Sequence, residues 1–402
     1  APPPPPPTLL ARLTALQPTY RQDGCGASAY PFLAATIVFT LVMQCWERYL
    51  DWRQHKRIRE RGDRVPPELE RLVDAMPTTA GESSPAALLA KLKEKAPASR
   101  AYALDKSRFK FVSAAYSLAK ALAFVLLGAM PYLWDTAEGL GQRYFGEGHE
   151  IKVSLIFYGL WELADTVLNL PTALYSTFGV EARHGFNKTT PALFATDLLK
   201  TLALTAALGG PCLALFIKIV MVAGPRNLAV YVGAFFVLVS TFFVTIYPVV
   251  VQPLFNKYEP LEAGSLRAKI EARVDYPLYK LFTVDGSKRS SHSNAYMYGF
   301  FKSKRIVLFD TLLKQASDEE IVAVLAHELE HWHHGHVLLT FAISQLYVFA
   351  AFYFFAGCMG SVDIYNAFGF RAVAGASDTA GAPVIVGVLL FLDAARRVCR
   401  AA

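Results

Sequence analysis

The stretch IVAVLAHELEHWHHGH, residues 321–336, runs directly into the apolar segment VLLTFAISQLYVFAAFYFFAG, residues 337–357. In an α-helix, residues four apart lie one above the other, so His327 and His331 can direct two imidazoles at one metal ion. Glu328 lies one position further round, where its carboxylate can take a proton from a water beside that metal. The pattern is typical of zinc proteases. It predicts Zn²⁺ as cofactor, His327 and His331 as metal ligands, and Glu328 as general base.

The residues around the motif predict a helix at this position. Ile321, Val324 and Leu325 recur at helical spacing, and Ser317 with the acids that follow it provides an N-cap and a negatively charged first turn. His334 shares the face of the two ligands, but about 10 Å of helix rise separates it from the first of them, which excludes it as a third ligand. The alternative is a His-rich surface helix without a metal, because short motif matches also arise by chance.

The composition is that of a membrane protein, since 53% of the 402 residues are hydrophobic, 13% are aromatic and only 18% are charged. A helix needs about 20 apolar residues to cross a hydrocarbon core of ~30 Å. Seven apolar stretches are candidate spans, and the last of them is short. They run over Tyr30–Trp46, Phe109–Trp134, Val153–Phe178, Pro191–Val222, Leu228–Pro253, Val337–Gly357 and Pro383–Ala395.

Basic residues predict the orientation of these spans. Seven Lys and Arg residues lie between Arg48 and Arg64, directly after the first span, and the positive-inside rule places them in the cytosol. Counting the spans alternately then places the His327 helix on the cytosolic side. The net charge of +7 would also allow nucleic-acid binding. Membrane anchoring explains the basic run, however, so we expect membrane lipid and no nucleic acid as a partner.

These features predict an α-helical multi-pass membrane protein with a small α+β zincin-like metalloprotease domain on the cytosolic side. Lys280–Val284 and Arg305–Phe309 have the composition of strands, and Ser293–Tyr296 is a candidate edge that could pair with an extended substrate. The predicted divisions are a flexible Pro-rich tail (1–28), spans one to five with a basic cytosolic loop at 47–108 (29–253), the metalloprotease domain (254–336) and spans six and seven (337–402).

Several ionisable residues interrupt the predicted spans. Each would cost several kcal/mol in lipid, so we expect them to face one another or a hydrated interior. For about half of them, misplaced helix ends or side chains that reach the interface are an equally good explanation. The residues are Lys120, Glu162, Asp165, Asp197, Lys200 and Lys218.

Longer stretches carry a resemblance to a known family, the integral-membrane CAAX prenyl proteases of the Ste24 type in peptidase family M48. The matching stretches are Tyr49–Gln54, Tyr175–Phe178 with Glu181–Asn187, Pro253–Lys257, Gly286–Tyr296 and His327–His336. The resemblance implies seven spans around an intramembrane chamber at the endoplasmic reticulum. It also implies removal of the last three residues from proteins whose C-terminal Cys carries an isoprenoid, with Asn294 and Ala295 binding the substrate.

The chain departs from this family at the expected third zinc ligand, a Glu in a Glu-x-x-x-Asp motif beyond the seventh span. After His336 the chain has no Glu, and its only acids are Asp363, Asp378 and Asp393. We therefore expect a C-terminal truncation. Two hypotheses stay open: a membrane zinc endopeptidase, or a catalytically silent homologue that acts as a membrane binding or scaffold protein. Cys399 has the spacing of a prenylation box, for which coincidence is the favoured explanation.

Overall fold

The computed structural model describes residues 16–20, 30–76, 84–273, 280–298, 305–358 and 361–370. Long helices form most of this part of the chain, and one four-stranded sheet lies next to the helix that carries His327. The predicted seventh span, together with Asp378, Asp393 and Cys399, lies outside the described residues.

The helices before the sheet follow the predicted spans in order. They are α1 (Phe32–Arg61), α2 (Pro67–Asp74), α3 (Pro85–Leu127), α4 (Ala129–Phe145), α5 (Glu150–Leu174), α6 (Pro191–Leu204), α7 (Gly210–Ile246) and α8 (Gln252–Phe255). Three π-helical segments extend or join them: Tyr175–Glu181, Thr205–Gly209 and Tyr247–Val251. Much of the predicted basic loop at 47–108 is helical. Helix α1 continues past the end of its apolar part into this loop, and helix α3 begins in the loop, well before the apolar part of α3.

Four helical segments in the described ranges are long and apolar enough to cross a membrane. They are Pro85–Leu127, Pro191–Gly224, Arg226–Phe255 and His336–Gly357. They correspond to the second, fourth, fifth and sixth predicted spans. Gly224 separates the middle two, because its non-helical backbone kinks α7.

Gly128 ends α3 earlier than the apolar pattern predicted. Its φ of 73° is left-handed, and α4 starts at the next residue, so the predicted span Phe109–Trp134 is broken in two. Two backbone amides of the N-terminal segment bond to the last carbonyls of α3: Thr19 N donates to Leu126 O, and Tyr20 N donates to Leu127 O. Thr19 and Tyr20 are therefore hydrogen-bonded to the end of α3.

Gly128→Ala is expected to destabilise the protein, whereas Gly139→Ala within α4 is not. Gly128 has a left-handed backbone with φ of 73°, so an alanine there carries a backbone cost of about 1–2 kcal/mol, while alanine is favoured inside a helix. A Cβ at Gly128 would also lie 2.7 Å from Tyr20 O, whereas nothing lies within 4 Å of one at Gly139. Thermal unfolding in detergent measures the difference, which we expect to reach at least about 1 kcal/mol. Equal stabilities of the two variants would show that neither the left-handed backbone nor the contact with Tyr20 matters.

Aromatic and aliphatic side chains pack the helical part together. Phe157 of α5, Ile217 of α7 and Phe352 of α12 (His336–Cys358) are fully buried in one cluster. Many other apolar side chains of the long helices are exposed, among them Leu238 and Phe354. An apolar outer surface of this kind is what a lipid-facing helix requires.

Two of the ionisable residues that interrupt the predicted spans face each other, as predicted. Lys120 of α3 donates to Asp165 and Asn169 of α5, at 2.7 Å each, and Asn169 also donates to Asp165. These contacts tie two predicted spans together through paired polar groups, as the cost of an isolated charge in lipid requires.

Among the described strands, the sheet has the order β1-β2-β4-β3, which places β3 at an edge. The strands are β1 (Tyr258–Pro260), β2 (Lys280–Val284), β3 (Ala295–Tyr298) and β4 (Arg305–Phe309). β2 and β4 are parallel, and the two outer pairings are antiparallel. The two strands that the sequence predicted, Lys280–Val284 and Arg305–Phe309, are confirmed as central neighbours.

Three helices accompany the sheet: α9 (Ser265–Arg273), α10 (Asp310–Gln315) and α11 (Asp318–His333). The last described helix, α13 (Val362–Ala367), packs instead with the membrane helices. The predicted N-cap of α11 is confirmed as a capping box. Ser317 N donates to Glu320 Oε2 at 2.8 Å, and Glu320 N donates to Ser317 Oγ at 3.4 Å. Ile321, Val322 and Leu325 of α11 pack into one apolar cluster with the inner strands.

Candidate active site

Helix α11 brings His327 and His331 together on one exposed face. Their ring centroids are 4.6 Å apart, and the ring planes are nearly perpendicular. Glu328 belongs to the same turn and is half-buried. The buried face of the helix fixes this orientation, because Ile321 and Leu325 are each only 1% exposed. The apolar periodicity of the helix thus sets the direction in which the histidines point.

His336 contacts the candidate site, a contact that the sequence analysis did not predict. Gly335, with φ of 67°, ends the turn between α11 and α12, and His336 follows it directly. His336 Nδ1 lies 2.9 Å from His331 Nδ1. When His331 Nδ1 is the donor in this contact, its Nε2 is left as the acceptor that could bind a metal, and hydrogen bonds to the second ring nitrogen orient histidines of metal sites. The sequence signal is a Gly-His pair four and five residues after His331.

Glu330 and His334 lie apart from this arrangement. Glu330 Oε1 pairs with His334 Nε2 at 2.8 Å, and both side chains are more than half exposed. His334 is therefore engaged in a solvent-exposed contact, in keeping with its exclusion as a ligand. Because Glu330 and Glu328 are acids on the same helix, a substitution at Glu330 can serve as the control for the same substitution at Glu328.

The donor set in the described part of the chain consists of two imidazoles and one adjacent carboxylate. Across the described ranges, no three or more His, Cys, Asp or Glu side chains are grouped so as to hold a metal ion. Neutral imidazoles one helical turn apart suit a divalent metal of the zinc type. His327 and His331 therefore fit two positions of such a site, with the orientation of His331 supported by His336.

The edge strand β3 lies against α11. Ala295 is buried in the same apolar cluster as Ile321 and Leu325. Phe309 N donates to Asn294 O at 3.0 Å, which makes Asn294 and Phe309 a hydrogen-bonded pair at the start of the antiparallel ladder. Because such pairs alternate, the main-chain groups of Ala295 and Met297 point away from β4 toward the open edge. The exposed Asn294 side chain accepts a hydrogen bond from Ala295 N at 2.9 Å.

An ion pair anchors the segment before β3 to a membrane helix. Arg289 donates to both carboxylate oxygens of Asp197 in α6, at 2.8 and 2.9 Å, and to Asn256 Oδ1 at 2.6 Å.

Asp310 accepts hydrogen bonds from the amide and hydroxyl of Ser287. Desolvation opposes ionisation of Asp310, but these bonds outweigh it and lower the pKa of the carboxyl.

A second anchor lies in the segment that follows α5. Glu181 accepts a hydrogen bond from Tyr102 of α3 at 2.7 Å and lies 3.2 Å from His292 Nε2. Desolvation raises the pKa of Glu181, but these hydrogen bonds outweigh it and the net effect is a lowered pKa. His292 stacks on Phe186 with ring centroids 4.2 Å apart. Sequence reasoning assigned no role to these residues, because the contacts of Glu181 with Tyr102 and His292 span 79 and 111 positions.

Comparison with protein families gives two matches that together cover most of the chain. Residues 54–257 match the N-terminal region of CAAX prenyl proteases, described as five membrane helices. Residues 260–398 match peptidase family M48. The boundary between the matches falls next to β1, where the membrane helices give way to the sheet.

Several characterised relatives share substantial identity with the chain. The CAAX prenyl protease 1 homolog of Oryza sativa subsp. japonica is 41% identical over 369 residues, covering 90% of this chain and 80% of the relative. CAAX prenyl protease 1 of Saccharomyces cerevisiae is 38% identical, with coverage of 88% and 77%. The Homo sapiens homolog is 36% identical, with coverage of 89% and 78%.

The fold agrees with these relatives. The crystal structure of S. mikatae Ste24p matches with a TM-score of 0.79 at 37% sequence identity, and the match covers 92% of this chain and 83% of that one. The predicted multi-pass helical fold with a small sheet in the protease region is thereby confirmed. The chain belongs to the CAAX prenyl protease 1 (Ste24) family of M48 metalloproteases.

Proposed function

We propose that this protein is a zinc endopeptidase that removes the C-terminal tripeptide from prenylated CAAX proteins, at the endoplasmic reticulum membrane with its protease region facing the cytosol. The observation that carries the proposal is the open edge of β3 beside the helix that presents His327 and His331. An extended peptide that adds to this edge lies next to the metal-binding residues. The names of the relatives, CAAX prenyl proteases, supply the substrate class.

His327 and His331 would hold the zinc ion, and His336 keeps the second imidazole oriented. When bound, zinc polarises the scissile carbonyl and acidifies the attacking water. Glu328 takes the proton from that water and can return it to the departing amine. The carboxylate is thus used first as a base and then as an acid, which a half-buried Glu on the same turn as both ligands can perform.

The edge strand binds the substrate through its main chain. Ala295 C=O and both main-chain groups of Met297 are directed outward, and they can pair with a peptide of any sequence. Ala295 N–H already donates to the Asn294 side chain, so a substrate strand cannot pair with that amide. Recognition by backbone tolerates varied side chains, which suits a protease whose substrates share a lipid and not a long sequence motif.

N-methylated peptides test this mode of binding. We expect the purified chain to cleave a farnesylated C-terminal peptide, and we expect methylation of alternate peptide nitrogens to reduce kcat/KM by about tenfold at positions that pair with β3. Methylation at the intervening nitrogens serves as the control, because those groups point away from the strand. A uniform response at all positions would exclude pairing with the edge.

The catalytically silent hypothesis predicts a different result. It requires no cleavage of the farnesylated peptide and zinc that is well below one ion per chain and easily lost. Cleavage together with near-stoichiometric zinc would exclude it. Measuring zinc content on the same preparation therefore decides between the two hypotheses.

A further inference from the structure

The segment that leads into β3 is hydrogen-bonded to the membrane part of the chain. Residues 289–291 run antiparallel to residues 186–188: Lys188 N donates to Arg289 O, and Ser291 N donates to Phe186 O, each at 3.0 Å. An isolated β-bridge joins Asn187 and Ser290. The segment between α5 and α6 thus forms one side of the approach to the edge strand.

Side chains reinforce this contact at the last residues before the strand. His292 lies two positions before Asn294, stacks on Phe186 at an interplanar angle of 15° and reaches Glu181 Oε2 at 3.2 Å. The other oxygen of Glu181 accepts the Tyr102 hydroxyl. One carboxylate is therefore shared between helix α3 and the segment that leads into β3.

The main chain of His292 is held from the opposite side. Thr311 Oγ1 of α10 donates to His292 O at 2.9 Å, and Gln315 Nε2 donates to Ser291 O at 3.0 Å. The segment before β3 therefore lies between the membrane segment and α10. A displacement of His292 would also move Asn294 and Ala295, because the one residue between His292 and Asn294 is too short to absorb a change in position.

We infer that Glu181 and His292 are positioning residues for substrate binding, which couple the segment between α5 and α6 to the edge strand. This inference rests on the proposed function for the identity of the substrate. The two residues do not touch the reacting atoms in this arrangement; they set the position of the main-chain groups with which the substrate pairs. Their loss should weaken substrate binding and leave the chemical step nearly intact.

The neighbouring residues provide a matched control. Asp105 of α3 accepts hydrogen bonds from Arg183 at 2.6 Å and lies 3.1 Å from His184 Nε2. These contacts join the same segment to the same helix, and none of them reaches residues 286–298. Asp105→Ala therefore loosens the segment without breaking the link through His292.

The decisive experiment compares Glu181→Ala, His292→Ala and the double variant with Asp105→Ala. We expect each single variant to raise KM for the farnesylated peptide by roughly tenfold, with kcat within about twofold of the wild type. The effects of the two substitutions should be less than additive in the double variant, because both remove the contact between Glu181 and His292. His292→Gln keeps a side-chain N–H donor and should restore much of the binding.

Hydrogen exchange gives a readout that needs no substrate. The amides of Tyr296 and Tyr298 pair with β4, and we expect them to exchange faster in Glu181→Ala while the amides of α11 are unchanged. If Asp105→Ala has the same effects, or if neither KM nor exchange changes in Glu181→Ala, the inference is wrong. Failure of the wild type to cleave the peptide would instead contradict the proposed function, and the exchange experiment would still decide the inference.

Discussion

Glu328→Gln is expected to reduce peptide cleavage by about 10³-fold or more while leaving the metal content of the protein unchanged. The amide has the size of the carboxylate but cannot accept a proton from water at neutral pH. Because Glu328 is not one of the two imidazole donors, the substitution spares His327 and His331. The measurement pairs the rate of tripeptide release with elemental analysis of the same sample.

Two variants on the same helix serve as controls. Glu330→Gln makes the same chemical change at an exposed residue paired with His334, and we expect activity within about twofold of the wild type. His331→Ala should lose both metal and activity, since it removes a proposed ligand. Substantial cleavage by Glu328→Gln would exclude this residue as the general base. Equal losses in the two Glu variants would point to a structural effect on the helix.

Asp197→Ala is expected to lower the free energy of unfolding by about 2 kcal/mol and to reduce cleavage as well. The substitution leaves the Arg289 guanidinium without its bidentate partner at a site where both side chains are only about one-quarter exposed. The contact joins α6 to the segment before β3, so its loss also frees the approach to the substrate edge. Denaturation in detergent and peptide cleavage measure the two effects.

A more exposed ion pair in the sheet region provides the comparison. Asp318 pairs with Lys269 at 3.2 Å and accepts a hydrogen bond from Ser265, and Asp318→Ala should be less harmful than Asp197→Ala, because solvent screens this pair more strongly. Asn256→Ala removes one hydrogen bond from Arg289 and should have an intermediate effect. If Asp197→Ala lowered the free energy of unfolding no more than Asp318→Ala, the ion pair between Asp197 and Arg289 would contribute nothing to stability.

The sequence predicted those parts of the site that depend on local spacing. His327, Glu328 and His331 occupy one helical turn, and the Ser317–Glu320 capping box and the apolar positions Ile321 and Leu325 specify the helix around them. The central strands were likewise predicted from their composition. Each of these features needs only a few neighbouring residues, and the structure confirms the helix and the strands.

Other features were not predicted, for reasons that differ between them. The break at Gly128 lies inside a continuous apolar stretch, and Tyr20 packs closely against it. Because the hydropathy pattern continues across this change in backbone direction, hydropathy carries no signal of it. The contact of His331 with His336 depends on the geometry of the turn at Gly335, which a hydropathy pattern does not describe.

By itself, therefore, the sequence determined the membrane class, the helix with its two candidate ligands and its candidate base, and the two central strands of the sheet. Only the tertiary structure decided that Asp197 holds Arg289 and that Glu181 holds His292. These contacts join residues 92 and 111 positions apart. Helical and strand periodicities repeat within a few residues, whereas strand order and long-range pairing are settled when distant segments pack together.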